Sequence, residues 1–162
     1  MWTLAQVKRA IDRVVDMAVI VLTAVLASVV FVAVITRYFF NFPLAWSEEV
    51  SRYSFIWLSF LGAEVCLRKG AHIGVDLLVR TFPGSIQHRL EEGGRLVMGV
   101  MLVVLFIAGI KVTAVAHDQQ SPALGMAMSY VYMALPVGAA LMLLELLVQS
   151  LTYRKASASS TG

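Results

Sequence analysis

The sequence predicts an all-α integral membrane protein with four transmembrane helices, both termini in the cytoplasm, and amphipathic segments at the membrane surface. Two observations support this prediction. The 162 residues are 59% hydrophobic and only 14% charged, with a mean hydropathy of +0.81, whereas a soluble domain carries about 25% charged residues. The apolar residues also fall in runs of about 20, the length of helix that crosses a bilayer. This length suits a single domain, residues 1–155, followed by a short tail.

Residues 17–36 form the first predicted span. They include no charged residue and would be about 30 Å long as a helix. The apolar core of a signal peptide is shorter, about 7–15 residues, and ends in a small-residue cleavage site, so we predict that this segment stays as a membrane helix. Residues 1–16 mix charged with apolar side chains, which predicts an amphipathic lead-in that lies at the membrane surface.

Residues 47–67 form the second predicted span. Pro43 disfavours helix at the residue before it, so a new helix is expected to begin after it. Ser47 suits the N-cap position, and Glu48 and Glu49 then fall in the first turn, where the helix dipole favours negative charge.

The second span has two distinct faces at 100° per residue. One face carries small residues at a spacing that lets helix backbones approach closely, and we predict that it packs against other helices and holds an ion pair between Glu48 and Arg52. The aromatic face is predicted to meet lipid or a large partner. Glu64 precedes Arg68 by four residues, the favourable order for an ion pair. The small-residue face comprises Glu48, Arg52, Phe55, Ser59, Gly62, Ala63 and Cys66, and the aromatic face Trp46, Glu49, Tyr53, Trp57, Phe60 and Glu64.

Residues 96–116 and 126–151 form the third and fourth predicted spans. Residues 68–95 predict a surface-lying loop with a short helix, followed by an amphipathic start to the third helix. The tail, residues 156–162, is rich in Ser and Ala and is predicted to be disordered.

Two ionisable residues of the later spans lie near helix ends. We expect Lys111 to extend its ammonium group towards water. Glu145 would suit a proton relay at mid-span, but it lies close to the end of the fourth span. An interfacial position facing Arg154 or Lys155 is therefore predicted.

The distribution of basic residues predicts the orientation. With four spans, the side of the termini collects ten of the 13 lysines and arginines, and only Arg37, Arg52 and Lys111 fall on the other side. Because basic residues concentrate on the cytoplasmic side of membrane proteins, both termini are predicted to be cytoplasmic. The chain is then a multi-pass membrane protein.

The sequence argues against several kinds of chemistry for this chain. Cys66 is the single cysteine, which excludes an intrachain disulfide or a cysteine-based redox pair. The three histidines lie outside the spans, which argues against haem ligation within the membrane. Because the sequence lacks a phosphate-binding loop, a metal-ligand spacing and a nucleophile–base set, we predict no enzyme activity and no metal or cofactor. The net charge of +3 comes from bases beside apolar spans, so the lipid bilayer is the expected surrounding and nucleic acid is not.

Closely spaced motif elements occupy residues 35–80. They are Arg-Tyr-Phe-Phe-Asn at 37–41, Pro-Leu-Ala-Trp-Ser-Glu-Glu at 43–49, Arg-Tyr at 52–53 and Arg-Lys-Gly-Ala-His-Ile at 68–73. In this order they resemble the small four-helix membrane subunit, or Q subunit, of tripartite ATP-independent periplasmic (TRAP) transporters.

The resemblance implies a part of a secondary transporter in a bacterial inner membrane. The chain is expected to be a scaffold for a large membrane subunit, which imports an organic acid captured by a periplasmic binding protein and uses an ion gradient, with sodium the expected ion. The resemblance places the candidate interface residues at Arg37, Asn41, Trp46, Glu48, Glu49, Arg52, Tyr53, Arg68, Lys69, His72 and Asp76.

Other interpretations stay open at this point. The charges at Glu48, Glu49 and Arg52 suit either a capped helix end with an internal ion pair or a fixed register against a neighbouring helix or subunit. The whole chain also has the size of a stand-alone four-helix proton-coupled exporter of the small multidrug type, although such a protein needs a carboxylate deep in a helix and residues 17–36 have none. A sensory or structural membrane protein is a third class.

Overall fold

The regular secondary structure of the chain is helical, as the sequence predicts. The computed structural model describes residues 4–69 and 84–159, with side chains described for residues 6–69 and 93–150. A 3-10 turn at Ala116–Asp118 follows the third helix. The helices are α1 (Leu4–Phe39), α2 (Ala45–Arg68), α3 (Gly84–Val115), α4 (Ser129–Tyr132) and α5 (Ala134–Ser159). Most of the predicted surface loop before α3, including His72 and Asp76, lies outside the described residues.

In the part of the chain that the structure describes, three segments are long and apolar enough to cross a membrane: Gln6–Phe39, Gly93–Asp118 and Ser129–Ser150. They contain or overlap the first, third and fourth predicted spans. The second predicted span, in α2, is not among these three segments. Its 24 residues are long enough, about 36 Å as a helix, but they include the acidic residues Glu48, Glu49 and Glu64 as well as Arg52.

The four long helices lie in a row. Within the described residues, α1 packs against α2, α2 against α5, and α5 against α3, and the two outer helices do not approach each other. α1 runs antiparallel to α2, since Asp12 near its start meets Arg68 at the end of α2. α2 and α5 run parallel, since Gln149 late in α5 reaches the carbonyl of Leu67 late in α2.

Helix α1 extends the first predicted span towards the N-terminus. It runs for 36 residues without a break, about 54 Å, so the lead-in predicted to lie at the membrane surface continues the direction of the span instead. The prediction differs from the structure because polar side chains of this lead-in have partners on α2 and α5, which the sequence pattern of one segment does not reveal.

The last helix also differs from its predicted bounds. Residues 126–128 belong to a loop, and α4 precedes α5. Pro136 lies in the first turn of α5, where its missing N–H breaks no helical hydrogen bond. α5 continues to Ser159, past Ala156, where the sequence predicted the start of a disordered tail.

Glycine permits the closest contact between α2 and α5. A Cβ atom on Gly138 would lie 2.7 Å from the Cβ of Phe60, a distance that side chains do not tolerate. The aromatic face of α2 therefore packs directly on the backbone of α5, as small residues allow between membrane helices.

We expect Gly138→Ala to lower the free energy of unfolding by about 1–3 kcal/mol, because the added methyl group overpacks the contact with Phe60. The matched control is Gly94→Ala, since nothing lies within 4 Å of a Cβ at that position. Thermal unfolding in detergent, followed by tryptophan fluorescence, measures both. Equal stability of the two variants would show that the α2–α5 contact is looser than described.

Candidate functional site

Six ionisable side chains from three helices meet where α1 begins and α2 ends. We call this group the ion cluster. It consists of Lys8, Asp12 and Asp16 of α1, Glu64 and Arg68 of α2, and Glu145 of α5.

Lys8 joins the first helix of the row to the third. Its Nζ lies 2.9 Å from Glu145 Oε2 and 3.3 Å from Asp12 Oδ2. Gln149, one turn after Glu145, donates from Nε2 to Glu145 Oε1 at 2.9 Å and to the carbonyl oxygen of Leu67 at 3.1 Å. These bonds tie α1, α2 and α5 together at one end.

Arg68 joins α2 to α1. Its guanidinium pairs with Asp16 and lies 3.4 Å from Asp12 Oδ1 and 3.9 Å from Glu64 Oε1, which confirms the predicted pair of Glu64 with Arg68. An arginine guanidinium stays charged at physiological pH, so Arg68 brings a permanent positive charge to these carboxylates.

The acidic members of the cluster differ in burial. The side chains of Glu64 and Glu145 are 3% and 5% exposed, whereas that of Asp16 is 50% exposed. Carboxylate oxygens of Asp12, Glu64 and Glu145 lie within 4.8 Å of one another, close enough to share a cation. Lys8 and Arg68 already bring positive charge to these three groups, so the arrangement is that of an ion-pair network.

Helical spacing places these groups on shared faces. Lys8, Asp12 and Asp16 are four residues apart in turn, as are Glu64 and Arg68, and residues four apart are neighbours on a helix. That spacing is the signal in the sequence that could have found the cluster. Glu145 was predicted to face Arg154 or Lys155, whose side chains lie outside those described, and the cation that the described residues place against it is Lys8.

Glu49 holds the loop before α4. Its carboxylate accepts hydrogen bonds from the backbone N–H groups of Ala123 at 2.9 Å and Leu124 at 3.1 Å, and it is 6% exposed. The loop turns at Gly125, whose φ of +64° is a backbone conformation that glycine adopts without steric strain. A buried carboxylate that accepts two backbone N–H bonds fixes this turn against α2.

Two aromatic residues of α2 extend the same contact. The hydroxyl of Tyr53 donates to the sulfur of Met128 at 3.4 Å, and Nε1 of Trp57 donates to the carbonyl oxygen of Tyr130 at 3.2 Å. The aromatic face of α2 therefore packs on the loop, α4 and α5.

The prediction for the aromatic face of α2 was wrong, since this face packs within the chain, whereas the predicted helix contact of the small-residue face stays a prediction. The aromatic face is the inner one, since Glu49, Tyr53 and Glu64 are buried. The small-residue face is open, since Ser59 and Ala63 are exposed and nothing lies within 4 Å of a Cβ on Gly62. Aromatic rings with a polar atom bury well when that atom finds a partner, and here Tyr53 and Trp57 both do.

The predicted interface residues separate into three groups. Glu49, Tyr53 and Arg68 contact other parts of this chain. His72 and Asp76 lie outside the described residues. The third group is exposed and consists of Arg37, Asn41, Trp46, Glu48, Arg52 and Lys69.

The predicted ion pair of Glu48 with Arg52 is not among the pairs formed by the described side chains.

A family model matches most of the chain. The model of the DctQ component of tripartite ATP-independent periplasmic transporters matches residues 26–155. The match includes all of α2, the loop held by Glu49, and Glu145.

Individual relatives agree with this match. The chain is 26% identical over 147 residues to the sialic acid TRAP transporter small permease protein SiaQ of Vibrio cholerae, with 86% of this chain and 80% of SiaQ covered. It is 31% identical over 109 residues to the C4-dicarboxylate TRAP transporter small permease protein DctQ of Rhodobacter capsulatus, covering 61% of this chain and 44% of DctQ. It is also 27% identical over 122 residues to the sialic acid TRAP transporter permease protein SiaT of Haemophilus influenzae, covering 75% of this chain and 20% of SiaT.

We expect Lys8→Met to lower the free energy of unfolding by about 1–3 kcal/mol, because it leaves the buried Glu145 carboxylate without its cation. The double variant Lys8→Met/Glu145→Met should recover most of this loss, since replacing both members of a buried pair by apolar side chains is often neutral. Arg13→Met removes an exposed charge from the same helix and is the control. Thermal unfolding that leaves the double variant no more stable than Lys8→Met would contradict a pair between these residues.

A second substitution tests the loop contact. Glu49→Gln replaces one acceptor oxygen by a donor that faces a backbone N–H, so we expect the loop to open more often, with a loss of about 1–3 kcal/mol. Chymotrypsin cleavage after Leu124, measured in detergent micelles, should become several-fold faster. Glu48→Gln, at the exposed neighbouring residue, should leave the rate unchanged, and equal rates for both variants would rule out a role of Glu49 in holding the loop.

Proposed function

Because this chain belongs to the DctQ component family of the tripartite ATP-independent periplasmic transporters, we propose that it serves as the scaffold of such a transporter. It is a small permease subunit that works with a large permease subunit in the membrane. In the proposed role it braces the large subunit, which imports an organic acid delivered by a periplasmic binding protein.

The observation that supports a scaffold role is the use of the buried acidic groups. Within the described residues these are Glu49, Glu64 and Glu145. Glu49 holds a loop, and Glu145 joins α5 to α1 through Lys8. Glu64 lies 3.9 Å from Arg68 of its own helix, and Arg68 in turn pairs with Asp12 and Asp16 of α1. A pathway for an ion or solute needs polar groups that exchange partners during transport, whereas Glu49 and Glu145 are occupied in joining one part of the chain to another.

The membrane arrangement is also part of the proposal. In the proposed arrangement α2 is the second of four spans, both termini are cytoplasmic, and the ion cluster lies near the cytoplasmic end of the row. The positive-inside rule supports this orientation, and a bacterial inner membrane is the location that a periplasmic partner requires. Because α2 carries several charges, we propose that it crosses the membrane in contact with other protein helices and not with lipid alone.

The solute class follows from the relatives. The name of SiaQ includes sialic acid, and the name of DctQ of Rhodobacter capsulatus includes C4-dicarboxylate. Both compounds are organic acids. The driving ion, expected to be sodium, stays a prediction. A stand-alone exporter of the small multidrug type has no support from these comparisons, because the relatives are TRAP permease proteins.

Uptake measurements test the proposed function. The large subunit encoded with this chain is expressed with its binding protein, with and without this chain, and uptake of the organic acid that the binding protein binds is followed in cells. We expect uptake only when all three proteins are present, because a scaffold subunit is required for the assembled permease. Equal uptake without this chain, at equal amounts of large subunit in the membrane, would contradict the proposal.

A further inference from the structure

A groove separates the second half of α1 from the start of α2. Its cavity is about 520 Å³, and Val30, Ala33 and Val34 of α1 line it. Arg37 and Glu48 line it as well, so the groove combines an apolar wall with charges of both signs.

The exposed face of α2 continues from this groove. Glu48 belongs to both, and Arg52, Phe55 and Ser59 follow at helical spacing, all of them exposed. Further along, Gly62 has no atom of this chain within 4 Å of a Cβ built on it. We call the groove and this open face of α2 together the α1/α2 surface.

The chemistry of the α1/α2 surface suits a protein better than lipid. Arg52 forms no ion pair with the described side chains, and an ionisable side chain of a membrane helix is costly unless another group pairs with it. Small residues such as Ser59 and Gly62 also offer lipid chains little contact, but they let a second helix approach closely. A partner helix with polar groups near Arg52 and Glu48 would satisfy both requirements.

The opposite edge of the row provides a contrast. The exposed side chains of α3 include Val97, Val100, Val104 and Ile107, which are apolar and branched and suit lipid. These two exposed surfaces of the same chain therefore differ in composition, since the α1/α2 surface places exposed charge at Glu48 and Arg52 in line with the small residues Ser59 and Gly62.

The match to SiaT indicates a candidate partner for this surface. A sequence similar to this chain makes up a fifth of SiaT, so it occurs joined to a much longer permease polypeptide. We propose, resting on the function proposed above, that the α1/α2 surface is where the large membrane subunit docks. A transmembrane helix of that subunit lies across Gly62 and Ser59 and presents polar groups to Arg52 and Glu48.

Paired glycine substitutions test this proposal. Gly62→Leu places a bulky side chain on the α1/α2 surface, and Gly94→Leu makes the same change in α3, where a Cβ also meets nothing within 4 Å. Each variant is co-expressed with the large subunit and purified through a tag on this chain. We expect Gly62→Leu to retain at least tenfold less large subunit than the wild type and Gly94→Leu to retain the wild-type amount.

The natural cysteine gives a second readout. Cys66 is exposed in the chain alone and lies one turn after Gly62 on the same face. Its labelling by a membrane-permeant maleimide should slow several-fold when the large subunit is co-expressed. A cysteine placed at Ile107 in a Cys66→Ser background should react at the same rate with and without the large subunit.

The outcomes separate the two proposals. If the wild-type chain retains no large subunit, the proposed function fails. If the wild type and Gly62→Leu retain equal amounts, and Cys66 reacts equally fast in both settings, the function stands and the docking surface is wrong. If Gly62→Leu does not fold, Arg52→Ala replaces it, with Lys111→Ala as control. Docking then predicts the larger loss for Arg52→Ala, and equal or reversed losses overturn it.

Discussion

The neutralisation of buried charge holds this row of helices together. Glu64 and Glu145 are almost fully buried, and a buried carboxylate is tolerated when a cation or hydrogen-bond donor meets it. Arg68 and Lys8 meet these two groups, and each base also contacts an acid of α1. Separating any two of α1, α2 and α5 at this end would leave a charge without its partner, so the three helices are coupled in position.

The same helix, α2, is held at both of its ends. Arg68 fixes its last turn in the ion cluster, and Glu49 fixes its first turns to the loop before α4. Between them, Phe60 lies against Gly138 of α5. Because these contacts all lie on one side of α2, its small-residue face is left open. In the proposed assembly, this open face, which carries Arg52, is the one that receives the large membrane subunit.

Much of this architecture is predictable from the sequence, for reasons that lie within single segments. Runs of apolar residues predict the helices, and the spacing of Glu64 and Arg68 predicts their ion pair. Contacts between segments are not visible in such patterns. Lys8 pairs with Glu145 across 137 positions of the chain, and the aromatic face of α2 faces inwards because Tyr53 and Trp57 find acceptors on a distant loop. Small residues at helical spacing predict a close contact between helices, but they do not say whether the second helix belongs to the same chain.

The ion cluster makes α1, α2 and α5 one rigid unit, and distances between spin labels on these helices test this rigidity most directly. Labels at Ile20 of α1 and Leu147 of α5, both exposed, would be introduced in a Cys66→Ser background and measured by pulsed electron spin resonance in the assembled transporter. We predict one narrow distance distribution that does not change when the coupling ion and the loaded binding protein are added. A second distance that appears under those conditions would show that the row opens during transport, and would contradict a scaffold held by its ion cluster.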